Sequence, residues 1–127
     1  MSLPQMLKAS IDDGTMHVHG KITKQIVTLD EVTATKVTYE PGAKWSIDLK
    51  DHAGSKSCLL PHVAYVISGA IEVQMDDGTK ETFREGDIMM LPPGHDAWTV
   101  GNEPCEFIQM SQGDSYYSDR VNNYSIA

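Results

Sequence analysis

Two residues of this chain, Cys58 and His62, offer donors at a spacing that can do chemistry, and His95 offers a third donor by its type. Side chains alternate between the two faces of an extended backbone, so Cys58 and His62 share a face with Leu60 between them. A bulge at Pro61 would shift that parity. With His95 the set supplies one sulfur and two imidazole nitrogens. These donors suit Zn²⁺ with a fourth position open to water or substrate, and imidazoles also accept Ni, Cu or Fe. The same residues have a second reading, a small polar cluster with Cys58 as an inert buried thiol. His17-Val18-His19 is a further His pair, on what reads as an edge strand, where two histidines are ordinarily just exposed. His52, in the polar stretch Asp51-His52-Ala53-Gly54-Ser55, reads as solvated. Asp12-Asp13, Asp30-Glu31 and Asp76-Asp77 fall in turns and read as turn chemistry.

The chain that must position these groups has 127 residues, which predicts one domain over 1–127, with a core at about 25–110 and a polar extension over 111–127. A net charge of −8 repels phosphate backbones and anionic lipid, so neither nucleic acid nor membrane is an expected partner. The longest apolar stretch, Cys58 to Val73, is broken by Pro61, His62, Ser68 and Gly69, well short of the ~20 residues that span a bilayer. The start, MSLPQMLK, has no apolar signal core, and there are two cysteines, Cys58 and Cys105; both features predict a reduced, cytoplasmic protein. Phosphate-binding glycine loops, nucleophile elbows, dinucleotide fingerprints and zinc-ribbon cysteine sets are absent.

Helical periodicity is nearly missing. Short alternating runs predict strands around 26–30, 37–39, 45–49, 63–67, 71–75, 82–84, 88–91, 97–100 and 105–110. In this reading Trp45, Ile47 and Leu49 form a half-buried strand, and Val63 to Ile67 a strand covered on both faces. Pro41-Gly42, Ser68-Gly69, Asp77-Gly78 and Pro92-Pro93-Gly94 mark turns. Many short strands at this spacing predict an all-β antiparallel sandwich or barrel. Tyr39, Trp45, Tyr65 and Trp98 are candidates to line a ligand pocket inside it. Residues 24–39 would leave a β edge exposed, which favours a homodimer. Tyr116, Tyr117 and Tyr124 lie in the polar extension, either covering the barrel or reaching a second subunit.

Two stretches carry a family resemblance. Cys58-Leu-Leu-Pro-His62-Val-Ala-Tyr65-Val-Ile-Ser-Gly69 and Gly86-Asp87-Ile-Met-Met-Leu-Pro92-Pro93-Gly94-His95-Asp96-Ala97-Trp98 resemble the two motifs of the cupin superfamily, in the right order with a hairpin between them. Gly86, Pro92 and Gly94 match the frame of the second motif. The run PGHDAWTVGNEPC from Pro93 to Cys105, with Trp45-Ser46, Ser57-Cys58 and Met75-Asp-Asp-Gly78, is similar to a narrower subgroup of small single-domain cupins. The resemblance implies a cupin-type antiparallel β-barrel, a double-stranded β-helix or jelly roll.

The usual cupin site takes two histidines and an acid from the first motif and one histidine from the second. This chain departs from it. Cys58 falls at the second histidine of the pair, His62 at the acid, and Ala97 at the second motif's histidine, with His95 two residues before it. Two residues along a strand restores the face, so the resemblance implies that His62 and His95 meet inside the barrel with Cys58 nearby. It implies one divalent transition metal (Zn, Ni or Fe) or no cofactor, and two functions. One is a binding protein for a small polar or carboxylated molecule. The other is a metal-dependent enzyme of small-molecule metabolism, an isomerase or an oxygenase.

Overall fold

Apolar residues at every second position, separated by glycine turns, build nine antiparallel strands in the computed structural model, which describes residues 6–58 and 62–112. The strands are β1 (Thr15–His19), β2 (Ile22–Leu29), β3 (Val32–Tyr39), β4 (His62–Ser68), β5 (Ala70–Met75), β6 (Lys80–Arg84), β7 (Ile88–Leu91), β8 (His95–Thr99) and β9 (Cys105–Gln112). They form a six-stranded sheet in the order β1-β2-β3-β9-β4-β7 and a three-stranded sheet in the order β6-β5-β8. The two inner faces enclose the core: Ile22, Val37, Val66 and Phe107 from the large sheet meet Ile71, Val73 and Ala97 from the small one. This is the expected cupin β-sandwich or jelly roll, with two sheets left open and joined by single bridges, Lys44 to Trp98 and Cys58 to His95. No helix among the described residues is long and apolar enough to cross a membrane.

The structure corrects the strand expected at 45–49. Trp45–Asp48 is a turn of helix (α1), followed by a second at Lys50–Ala53 (α2). Trp45 and Leu49 stand four residues apart, one helical turn, and both are buried, while Ile47 points away and is 72% exposed. Asp48 secures the turn by accepting the backbone N–H groups of Lys44 at 2.9 Å and Lys21 at 3.1 Å. The alternation of three apolar residues fits both periods here, and packing with this cap selects the helix.

Two further expectations change. Strand β4 is covered on one face only: Ala64 and Val66 are buried, but Val63 is 59% exposed. Residues 24–39 are not an edge, because β2 and β3 pair on both sides and the edges of the large sheet are β1 and β7. Both cysteines are buried and neither is in a disulfide among the described residues, and β9 carries the chain two residues into the polar extension. The expectation for Tyr116, Tyr117 and Tyr124 lies outside the described residues.

Gly69 makes the tight β4–β5 connection with φ +74°, where a Cβ would run into the Pro104 carbonyl. Gly69→Ala is therefore expected to cost about 1–3 kcal/mol, seen as a lower urea midpoint at unchanged slope.

Candidate metal centre and its cavity

Three donors converge where the two motifs meet. His62 opens β4 and His95 opens β8, while Cys58 sits in the segment before β4. The backbone of Cys58 is tied to the second motif: its N–H donates to the His95 carbonyl at 2.7 Å, and its own carbonyl accepts the Gly94 N–H at 2.7 Å. Gly94 has φ +92°, and a Cβ there would press on the Asp76 carboxylate at 2.8 Å, so the turn that brings His95 to Cys58 requires glycine. The rings of His62 and His95 meet edge to face with centroids 5.2 Å apart. One ligand atom from each of Cys58, His62 and His95 lies within 4.8 Å of the others.

The hydrogen bonds around the two rings set their tautomers. A carbonyl oxygen can only accept, so His95 Nδ1 donates to the Pro92 carbonyl at 2.9 Å. His62 Nδ1 donates to Gln109 Oε1 at 2.8 Å. In the neutral rings both Nε2 atoms then carry lone pairs, and that of His62 faces Cys58 Sγ at 3.3 Å. This is the arrangement of metal-binding histidines, in which the far nitrogen is held by a carbonyl and the near one is free to ligate. Burial pushes the His62 pKa down, reinforced by the His95 and Lys24 charges and opposed by the Gln109 hydrogen bond. A neutral His62 is the ligating form.

The donor set fits a small divalent ion. Metal–sulfur and metal–nitrogen bonds of roughly 2.3 and 2.0–2.1 Å hold ligand atoms about 3.5 Å apart in a tetrahedron, so closure needs shifts of about an ångström. Cys58, His62 and His95 all line one cavity of about 440 Å³. Its wall is mostly apolar, with Trp45, Leu49, Ile71, Met89 and Phe107, and its polar groups include Tyr39, Gln109, Lys24 and His52. Burial holds the Tyr39 phenol far above its ordinary pKa, with the Cys58 and Asp96 charges adding, so it stays protonated.

Of the four aromatic residues expected at a pocket, Tyr39 and Trp45 line the cavity and Tyr65 and Trp98 do not. Tyr65 has the opposite parity to His62 and lies on the outer face of β4, 45% exposed. Trp98 likewise alternates away from Ala97, and its ring faces Lys44 Nζ at 5.1 Å and Lys80 Nζ at 5.9 Å. His17 and His19 stand on edge strand β1, and the expected solvated His52 is exposed, its ring 4.2 Å from that of His19 at the cavity mouth. Sequence reasoning passed over Gln109 and Lys24. Each is a polar residue at the inward parity of an otherwise apolar strand, Gln109 after Cys105 and Phe107, and Lys24 after Ile22.

The profile of the EutQ-like cupin domain matches residues 40–106, more than half the chain and both motifs. The chain belongs to the EutQ-like cupin family. No curated protein matches this cupin. Among solved structures it is similar to a cupin 2 conserved barrel domain protein from Salinispora arenicola, at 14% identity and TM-score 0.63, covering 95% of this chain and 100% of that one. It is also similar to KdgF from a Halomonas species, at 21% identity and TM-score 0.56, over 80% of this chain and 89% of that one. An oxalate decarboxylase from Lactobacillus farciminis, solved as a formate complex, matches at 16% identity and TM-score 0.62. That match covers 94% of this chain and 36% of that one, so this cupin spans about a third of its length. At these identities the likeness concerns the fold.

The depressed His62 pKa has a pH consequence. The unfolded ring takes up a proton as pH falls through about 6.5, while the folded ring resists until a lower pH, so stability is lost as pH drops through that window. In metal-free protein, wild type should lose urea stability between about pH 7 and pH 5 more steeply than His62→Gln. Parallel curves would remove the assignment.

Proposed function

We propose that this cupin binds a small molecule in its cavity at a metal centre formed by Cys58, His62 and His95. The observation that carries the reading is the paired tautomer control: Gln109 and Pro92 hold both Nδ1 atoms, His62 Nε2 faces the Cys58 sulfur, and one ligand atom of each of the three residues lies within 4.8 Å of the others. The sulfur ligand favours Zn²⁺ over Ni or Fe, since thiolate with imidazole makes a closed-shell tetrahedral site. A bound ion would act there as a Lewis acid on an oxygen of the ligand.

The same donor set supports a second reading, a metal-dependent enzyme. Acid–base chemistry of the isomerase type would fall to the imidazoles and Lys24, since the described wall offers no carboxylate partner for them. No Asp or Glu lines the cavity among the described residues, and the Tyr39 phenol is held protonated. Oxygenase sites built from histidines and a carboxylate are likewise not matched by this donor set. A binding role is thus the better supported of the two. Cytoplasmic location belongs to the same reading, supported by two buried thiols outside any disulfide among the described residues.

The metal test is direct. One equivalent of Co²⁺ per chain should give a thiolate-to-metal charge-transfer band that Cys58→Ser abolishes. Gln109→Leu should weaken Zn²⁺ about 10–100-fold by releasing the His62 ring. Binding unaffected by Cys58→Ser and His95→Ala would sink the metal centre.

We also propose a homodimer, formed through the outer face of the large sheet. Val63 pairs across strands with Met90 and Tyr65 with Ile88, and Met110 lies beside them; Val63 and Met90 are 59% and 77% exposed. Among the outward side chains described on these six strands, the only charges are Lys36 and Glu106, which pair at 3.2 Å. This neutral apolar face on a chain of net charge −8 suits a second copy related by a two-fold axis, whereas anionic lipid would be repelled. Light scattering should give twice the 14.0 kDa chain mass, and Met90→Lys should halve it with the β circular dichroism intact. A wild-type monomer, or a Met90→Lys dimer, would overturn the interface.

A further inference from the structure

The charge inside the cavity runs against the charge of the chain. Overall there are 18 acidic and 10 basic residues, yet the described wall holds Lys24 and the imidazoles of His52, His62 and His95 with no carboxylate. Lys24 is placed there by β2: it pairs with Val37, a buried cavity residue, and its neighbours of the same parity are Ile22 and Ile26. Its side chain is half-buried and forms no ion pair among the described residues. It lines the same cavity as His52 at the mouth and His62 in the donor cluster.

A half-buried lysine that lines an apolar wall and forms no ion pair among the described residues offers its ammonium to a ligand's counter-charge, through a charge-assisted hydrogen bond. We propose that the cavity takes an organic monocarboxylate, its carboxylate paired with Lys24 and its apolar body against Trp45, Leu49 and Phe107. One fixed cation matches one negative charge. A phosphate dianion would leave a second charge facing the apolar wall. This deepens the small-molecule reading above, but it needs no metal, because Lys24 is not a ligand of the centre.

The test uses phenylacetate and its neutral isostere phenylacetamide, titrated into metal-free full-length protein by quenching of the Trp45 fluorescence. Wild type should bind phenylacetate at least about tenfold more tightly than phenylacetamide. Added salt should weaken the acid and leave the amide unchanged. Lys24→Met should erase the preference through loss of acid affinity alone, and Lys24→Arg should retain it. Equal affinity for acid and amide in wild type overturns the proposal, as does a preference that survives Lys24→Met. A preference that arises only after Zn²⁺ loading overturns it too and leaves the metal reading standing, since it assigns the carboxylate to the ion. Conversely, an acid preference in a protein that takes up no Zn²⁺ keeps this proposal and removes the metal centre. The Lys24→Arg variant and the salt series on wild type keep the result readable if Lys24→Met is poorly folded.

Discussion

The short backbone clasp between Cys58 and the Gly94–His95 turn is the constraint on which the site depends. Two hydrogen bonds of 2.7 Å bind the segment before β4 of the large sheet to Gly94 and His95, where β8 of the small sheet begins. Both sheets are open, so the clasp and the Lys44–Trp98 bridge supply the β pairing between them. The clasp works because Gly94 accepts a positive φ over the Asp76 carboxylate, and because Ser57 Oγ donates to that same carboxylate at 3.1 Å. Once Cys58 is held against His95, parity along the strands brings His62 to the same spot.

From that point the chemistry is decided by a layer behind the donors. The imidazoles are oriented by Gln109 on β9 and by the carbonyl that ends the Pro92 turn. Each acceptor fixes the proton on the far nitrogen of its ring and so turns the near nitrogen toward a ligand. The apolar wall then lowers the local dielectric. That makes the Cys58 thiol, the depressed His62 and Lys24 parts of one environment rather than separate curiosities.

The outer face of the same sheet follows from the same alternation. Every inward residue that builds the cavity forces its neighbour outward, and on β4, β7 and β9 those neighbours are Val63, Tyr65, Ile67, Ile88, Met90 and Met110. A strand covered on one side by its own core still reads as a continuous apolar run when its other side is kept for a second surface. Core, cavity and candidate interface are thus three uses of one period-two pattern.

The sequence by itself determined the all-β class, most strand positions, the glycine turns and the three donors, because these rest on local alternation and on residue types that only turns or ligands need. It also held the parity that separates Tyr65 from His62, so the misplacement of Tyr65 was a reading error and not missing information. The tertiary structure decided what local pattern leaves degenerate. Trp45, Ile47 and Leu49 fit a strand and a helix equally until Asp48 caps the helical turn and Leu49 finds the core. Likewise, nothing near Lys24 or Gln109 in the chain says that one faces an anion-free wall and the other a histidine 47 residues away. The role of Gln109 comes from the non-local pairing of β9 with β4, and that of Lys24 from the packing of the β2–β3 hairpin over the cavity, and register between distant strands is set by the whole sheet rather than by any one of them.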